Sequence, residues 1–175
     1  TEKVYELDPK NTNYGFTLGE VLKINGKYSQ SLQIFTKLAC QNPNNWSAHY
    51  EMGQIYYSLG NPADAIKKYD TVLKIKPDHA LSYYEKANCQ RLLSRDKKQR
   101  DKALKNILKA IDYDPDNANF YYLAGIVSNE IGNFENALNY FNMAIDKNPK
   151  LNEAHDSLIY LLAFISPKTK GKYFD

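Results

Sequence analysis

Cysteine is scarce in this chain: Cys40 and Cys89 are the only two, and they stand in no CxxC or metal-ligating arrangement. The expectation is a pair of buried free thiols in a reducing, cytoplasmic setting, with no structural metal. Histidine is scarce too. His49, His79 and His155 lie far apart, and there is no HExxH, no glycine-rich phosphate loop, no G-x-S-x-G and no distinctive carboxylate pair. Catalysis within the chain is therefore not expected, nor is any cofactor. No apolar run reaches the roughly 18 residues needed to cross a bilayer, so no membrane partner is expected. Charge of one sign is missing as well. Twenty-three Lys and Arg face 20 Asp and Glu, for a net charge of +3. That is short of the basic excess of a dedicated nucleic-acid binder, and nucleic acid is not expected as a partner.

What is present is a pattern, clearest in residues 46–79. Met52, Ile55, Tyr56 and Leu59 recur at helical spacing, and so do Ala65, Ile66, Tyr69, Val72 and Leu73. Between the two runs stand Gly60, suited to a left-handed C-cap, Asn61, suited to cap the next helix, and Pro62, suited to its first turn. Pro77 closes the unit. Small residues, Gly53 and Ala65, sit where the two helices must come close. Neither helix can bury its apolar stripe alone, so the unit requires copies of itself.

The copies are there. Prolines fall at 9, 43, 77, 115 and 149, with spacings of 34, 34, 38 and 34. The close-approach residue recurs as Gly19, Gly53, Ala87 and Gly125, and the turn glycine as Gly26, Gly60 and Gly132. The small residue of the second helix recurs as Ser31, Ala65, Ala103 and Ala137. Four positions on lies a large side chain: Phe35, Tyr69, Ile107 or Phe141. A 34-residue helix–turn–helix period with these positions resembles the tetratricopeptide repeat, over nearly the whole chain. The resemblance implies an all-α fold, a right-handed α-solenoid whose first helices line a concave groove for peptides or proteins.

On this register residues 1–11 are the tail of a preceding repeat's second helix, because Val4, Leu7 and Pro9 match Val72, Ile75 and Pro77. Four repeats then span 12–45, 46–79, 80–117 and 118–151. A capping helix and tail fill 152–175, the helix ending near residue 165 because Pro167 and the polar stretch after it leave no second helix. Ile159 stands there where other repeats carry Gly or Ala, since no partner helix presses on it. The apolar Leu158, Ile159, Leu162 and Ile165 mark a face for self-association or for a further domain. The third repeat carries four extra residues in a wholly polar stretch, 94–101, expected to lengthen a helix by a turn or to protrude as a loop. With Arg91, Lys102, Lys105 and Lys109 it forms a basic patch, either a solvated surface or a dock for an acidic partner.

The resemblance also implies which residues face the groove. The fifth positions of the first helices are Phe16, Tyr50, Tyr84 and Tyr122; the ninth are Glu20, Gln54, Asn88 and Ile126. One turn on lie Lys23, Tyr57, Arg91 and Asn129. Four residues apart on a helix share a face. Tyrosines there can hold an extended segment or can serve the neighbouring helices; both readings stand. Gln54 and Asn88 can bond a peptide backbone, while Lys23 and Arg91 can take a carboxylate. His49 and His155 share a repeat position with Tyr83 and Tyr121, which points to packing. Acidic residues are spread as a solvated face requires. The reading is a non-catalytic adaptor. Its alternatives are the recognition arm of a larger enzyme, such as an O-GlcNAc transferase-like glycosyltransferase, or a self-associating structural piece.

Overall fold

The structure is a computed structural model that describes residues 12–93 and 96–170, the last four of these as backbone alone. The expectation for 1–11 lies outside the described residues, as do Ser94, Arg95 and the tail beyond 170. Among the described residues there are nine helices and no strand: α1 Thr12–Ile24, α2 Tyr28–Gln41, α3 Trp46–Ser58, α4 Pro62–Ile75, α5 Ala80–Leu93, α6 Lys97–Tyr113, α7 Ala118–Ile131, α8 Phe134–Lys147 and α9 Asn152–Lys170. They fall into two compact units that part between Leu93 and Ser94. The extra residues of the third repeat lie at this division.

Proline sets where the second helices stop. Asn42, Lys76, Asp114 and Asn148 each precede a proline and are extended, with φ between −129° and −142° and ψ between 83° and 96°. A proline ring pushes the residue before it out of the helical region, so the period of prolines becomes a period of helix ends. Starts are set by asparagine. The side chains of Asn45, Asn61, Asn117 and Asn133 accept the backbone N–H of Ala48, Asp64, Asn119 and Asn136 at 3.1–3.2 Å. At the Asn61 start, Pro62 occupies the first turn as the sequence suggests.

The first unit contains α1 to α5, each packed on the next. Its hairpins close on an aromatic ring set against bare backbone. A Cβ on Gly19 would stand 2.7 Å from Phe35 Cζ, and one on Gly53 only 2.5 Å from Tyr69 Cε1. Ser31, the odd member of the small-residue series, is fully buried and donates to Gly19 O at 2.6 Å. Phe35, Leu38, Ala48, Met52 and Ile55 form one core, and Ala65, Tyr69 and Cys89 another. Two expectations need correction. Leu59 is half exposed, because it lies in the turn and past the end of α3. Cys40 is exposed while Cys89 is buried. Two residues beyond buried Leu38, Cys40 is carried to the solvent side of α2 by the helical turn.

The second unit, α6 to α9, repeats the construction: a Cβ on Gly125 would meet Phe141 at 2.5 Å. Helix α6 has 17 residues, against 14 in α2, α4 and α8, so the polar stretch from Lys97 onward lengthens a helix. Arg100 in that stretch is bound to Glu130 at 2.9 Å, with both side chains mostly covered, which removes it from the basic patch. Helix α9 runs to Lys170, past Pro167, rather than stopping near 165. A proline disfavours the helical conformation of the residue before it without forbidding it, so the sequence signal gave the wrong end. The expected apolar face is also redrawn. Leu158 and Ile165 pack toward Ala137, Phe141 and Leu161, leaving Ile159, Tyr160, Leu162 and Phe164 exposed.

Candidate binding face of the first helices

In the first unit, polar side chains from successive first helices meet across the 34-residue register. Lys23, at the end of α1, reaches α3, where its ammonium forms an ion pair with Glu51 and donates to Gln54 Oε1 at 2.7 Å. Gln54 Nε2 in turn donates to the Tyr50 hydroxyl at 3.2 Å. The same link recurs one helix on: Asn88 Nδ2, on α5, donates to the Tyr57 hydroxyl of α3 at 3.2 Å, and Arg91 donates to Asn88 Oδ1 at 3.4 Å. Six of the expected groove residues, Lys23, Tyr50, Gln54, Tyr57, Asn88 and Arg91, thus lie in two linked networks. Glu20 and Tyr84 share their helix faces and are half-buried. Lys23 is committed to Glu51 and Gln54, which leaves it badly placed to take a ligand carboxylate.

The fifth-position rings sit on their own hairpins. Phe16 meets Phe35 edge-on with centroids 5.3 Å apart, and Tyr50 stands 5.8 Å from Tyr69 and 5.1 Å from His79. In the second unit Tyr122 lies 6.1 Å from Phe141, and Ile126 is half-buried against the same cluster. Phe16, Tyr50 and Tyr122 each cover the aromatic residue that presses on the glycine, so part of their surface is spent on the hairpin. Burial, then the charge of Glu85, pushes the Tyr50 hydroxyl well above the usual tyrosine range.

Three features escaped the sequence reading. Glu51 is buried, not solvated, and it is the partner of Lys23. Glu85 occupies the same repeat position on α5, and burial raises its carboxyl above the usual range. His79 is an end-cap of α5: its Nδ1 accepts the Ser82 N–H at 3.2 Å, and its ring lies 4.8 Å from Trp46. A glutamate at one repeat position in consecutive repeats, with a lysine near the end of the preceding repeat's first helix, was the available signal. The other two histidines behave as expected of packing residues. His49 and His155 bond the carbonyls of Pro43 and Pro149 at 3.1 and 3.0 Å, as Tyr121 bonds that of Pro115 at 3.0 Å.

Beside these networks lies a cleft of about 360 Å³ lined by Lys23, Gln54, Tyr57, Tyr69 and Glu85, with Ile24 and Tyr28 at one side. In the second unit a cleft of about 330 Å³ occupies the matching register, with Phe141 and Ser157 in the places of Tyr69 and Glu85. No group of three metal-ligating side chains occurs among the described residues, and none of the described helices is long and apolar enough to cross a membrane.

An array of helical hairpins with polar first-helix faces defines a class of repeat protein, and the comparisons name it. Two sequence models of the tetratricopeptide repeat match residues 22–89 and 95–152, between them most of the chain. The chain belongs to the tetratricopeptide-repeat family. It is 31% identical over 108 residues, 61% of its length, to mouse Superkiller complex protein 3. It is 30% identical over 144 residues, 81% of its length, to Anaphase-promoting complex subunit 3 of Schizosaccharomyces pombe. It spans only 6% and 21% of those two proteins. Among solved structures, MamA from Desulfovibrio magneticus aligns over 94% of this chain and 92% of its own, with a TM-score of 0.81 at 22% identity. YrrB, described as a tetratricopeptide-repeat protein with an unusual peptide-binding site, aligns over 89% and 78%, with a TM-score of 0.73 at 22% identity. At such identities the likeness shows the fold, an all-α repeat solenoid.

Proposed function

We propose that this chain is a protein-interaction module whose first-helix face binds a segment of another protein. The observation that carries the reading is the convergence of Lys23, Gln54, Tyr57, Asn88 and Arg91 from three successive first helices, α1, α3 and α5, beside an open cleft. Linked polar groups on rigid helices are already oriented, so a partner loses less entropy on docking than it would against mobile side chains. Two relatives are by name parts of complexes, and one structural neighbour is described by a peptide-binding site, which supports the same reading. The role is that of a non-catalytic adaptor. The test is a pull-down from the source cell with the full chain and with Tyr57→Ala/Tyr84→Ala/Asn88→Ala. A circular-dichroism melt confirms that the variant is folded. Loss of the captured partner is expected; a folded variant that retains it overturns the reading. Tyr50 is left intact because it supports Tyr69 and His79.

A second surface rests on α9, where Ile159 is 65% exposed and Tyr160 70%, with Leu162 and Phe164 beside them. Exposed apolar residues grouped in this way mark an association site. Sedimentation of the full chain and of Ile159→Glu/Leu162→Glu decides whether copies of the chain meet there. A concentration-dependent dimer lost in the variant is expected, and a monomer at high concentration ends the idea.

A further inference from the structure

The cleft of the first unit contains two polar groups that the fold leaves unused. Tyr69 is fully buried, it lines the cleft, and its hydroxyl has no hydrogen-bond partner. The hydroxyl is not needed for packing. Phe35 and Phe141 hold the same position in their hairpins, press on Gly19 and Gly125 as Tyr69 presses on Gly53, and have none. A buried hydroxyl without a partner is costly, and its retention where phenylalanine serves elsewhere points to something that enters.

The second group is Glu85. One repeat earlier its counterpart Glu51 is held by Lys23 from the preceding first helix. The residue in the place of Lys23 one repeat on is Tyr57, whose hydroxyl accepts from Asn88 instead. Lys23 also lines this cleft but is bound to Glu51 and Gln54, so Glu85 has no cation of its own at this step of the array. Among the described residues no ion pair or hydrogen bond reaches Glu85, and it lines the cleft with Tyr69 and Tyr57. Its charge is felt across the site: after burial, Glu85 is the next cause raising Tyr50, Tyr69 and Cys89, the last of them to about 12. A half-buried carboxylate with no counter-charge is what a docking cation relieves.

We propose that this cleft receives a lysine or arginine side chain of a bound protein segment, its cationic head set against the Glu85 carboxylate and the Tyr69 hydroxyl. The proposal rests on the first-helix face being the binding face. An ammonium or guanidinium offers donors only, and the two unused groups can both accept. The rings of Tyr57 and Tyr28 and the side chain of Ile24 line the wall along which an aliphatic stem lies. The partner thus supplies at Glu85 the contact that Lys23 supplies at Glu51. At the matching places of the second unit's cleft stand Phe141 and Ser157, so the pairing of a buried hydroxyl with a half-buried carboxylate is not repeated there; its carboxylates are Glu130, bound to Arg100, and the exposed Asp156.

The test selects peptides from a displayed library of random sequence on the full chain and measures the affinity of the best. Each is compared with its copy in which the basic residue is norleucine. Selected peptides should carry a Lys or Arg whose replacement weakens binding by about tenfold or more. Glu85→Gln should abolish that discrimination. Tyr69→Phe should weaken the basic peptide while leaving the melting temperature unchanged or raised, which a hydroxyl with a structural role would not allow. Peptides that bind, and are lost in Tyr57→Ala/Asn88→Ala, yet show no basic preference overturn this proposal alone. So does Glu85→Gln with undiminished discrimination. Failure to select any peptide, or peptides indifferent to Tyr57→Ala/Asn88→Ala, overturns the binding face and this proposal with it.

Discussion

The ring of Tyr69 occupies the space that a β-carbon on Gly53 would need, with Cε1 only 2.5 Å from where that atom would stand. Real contacts do not come so close, so the fully buried ring of Tyr69 would have to shift. Gly53→Ala should therefore destabilise the first unit by about 1–3 kcal/mol of overpacking, reduced by the ~1 kcal/mol that alanine gains in a helix. A denaturant melt measures it. Adding Tyr69→Leu should recover part of the loss, because the two residues share one space.

Gly60 offers the opposite case. A β-carbon there meets nothing within 4 Å, but φ is +72°. The cost of Gly60→Val is then one of backbone alone, roughly 1–2 kcal/mol or somewhat more for a β-branched residue. Gly60→Asn should cost less, since asparagine tolerates this region. Equal losses for Val and Asn would contradict a backbone origin.

Lys23 and Glu51 form an ion pair with side chains only 22% and 11% exposed. Lys23→Met leaves Glu51 without its cation and should cost about 2 kcal/mol, a value below that of fully buried pairs because some water reaches this one. Lys23→Met/Glu51→Gln should be closer to the parent, as the stranded charge is gone. Thermal melts of the parent and the two variants give the comparison.

His79 should make the first unit pH-sensitive. Burial, then the charge of Lys76, lowers its pKa below the ordinary histidine value, Asp78 opposing. A protonated ring can no longer accept the Ser82 N–H that caps α5. The unfolded chain thus binds the proton more readily. This contribution is intact above the unfolded value near 6.5. It is lost as pH falls through that value to the lower folded one. Denaturant melts between pH 7.5 and 5 should show the decline, and His79→Asn, which keeps a cap acceptor, should flatten that part of it. Parallel curves for the two proteins would remove His79 from the account.

Much of the local architecture could be read from the chain. Prolines 43, 77, 115 and 149 act on the residue directly before them, and Asn61-Pro62 acts within one turn, so a linear pattern is enough to locate both. The groups beside the cleft were legible only as positions. That Glu51 and Glu85 share a repeat position was visible; that one is neutralised and the other is not depends on a side chain some 30 residues away. The end of α9 was misread for a related reason, since Pro167 biases Ser166 without deciding it. Cys40 was misplaced because small apolar residues sit on either side of a helix with little penalty.

The sequence by itself determined the helical hairpins, their period and their turns, because these arise from steric and hydrogen-bonding preferences acting over a few residues. Only the tertiary structure decided which polar side chains on the first helices are satisfied. A charge turned inward meets its partner, or fails to, on another helix, and the distance between them exists only once the helices are packed.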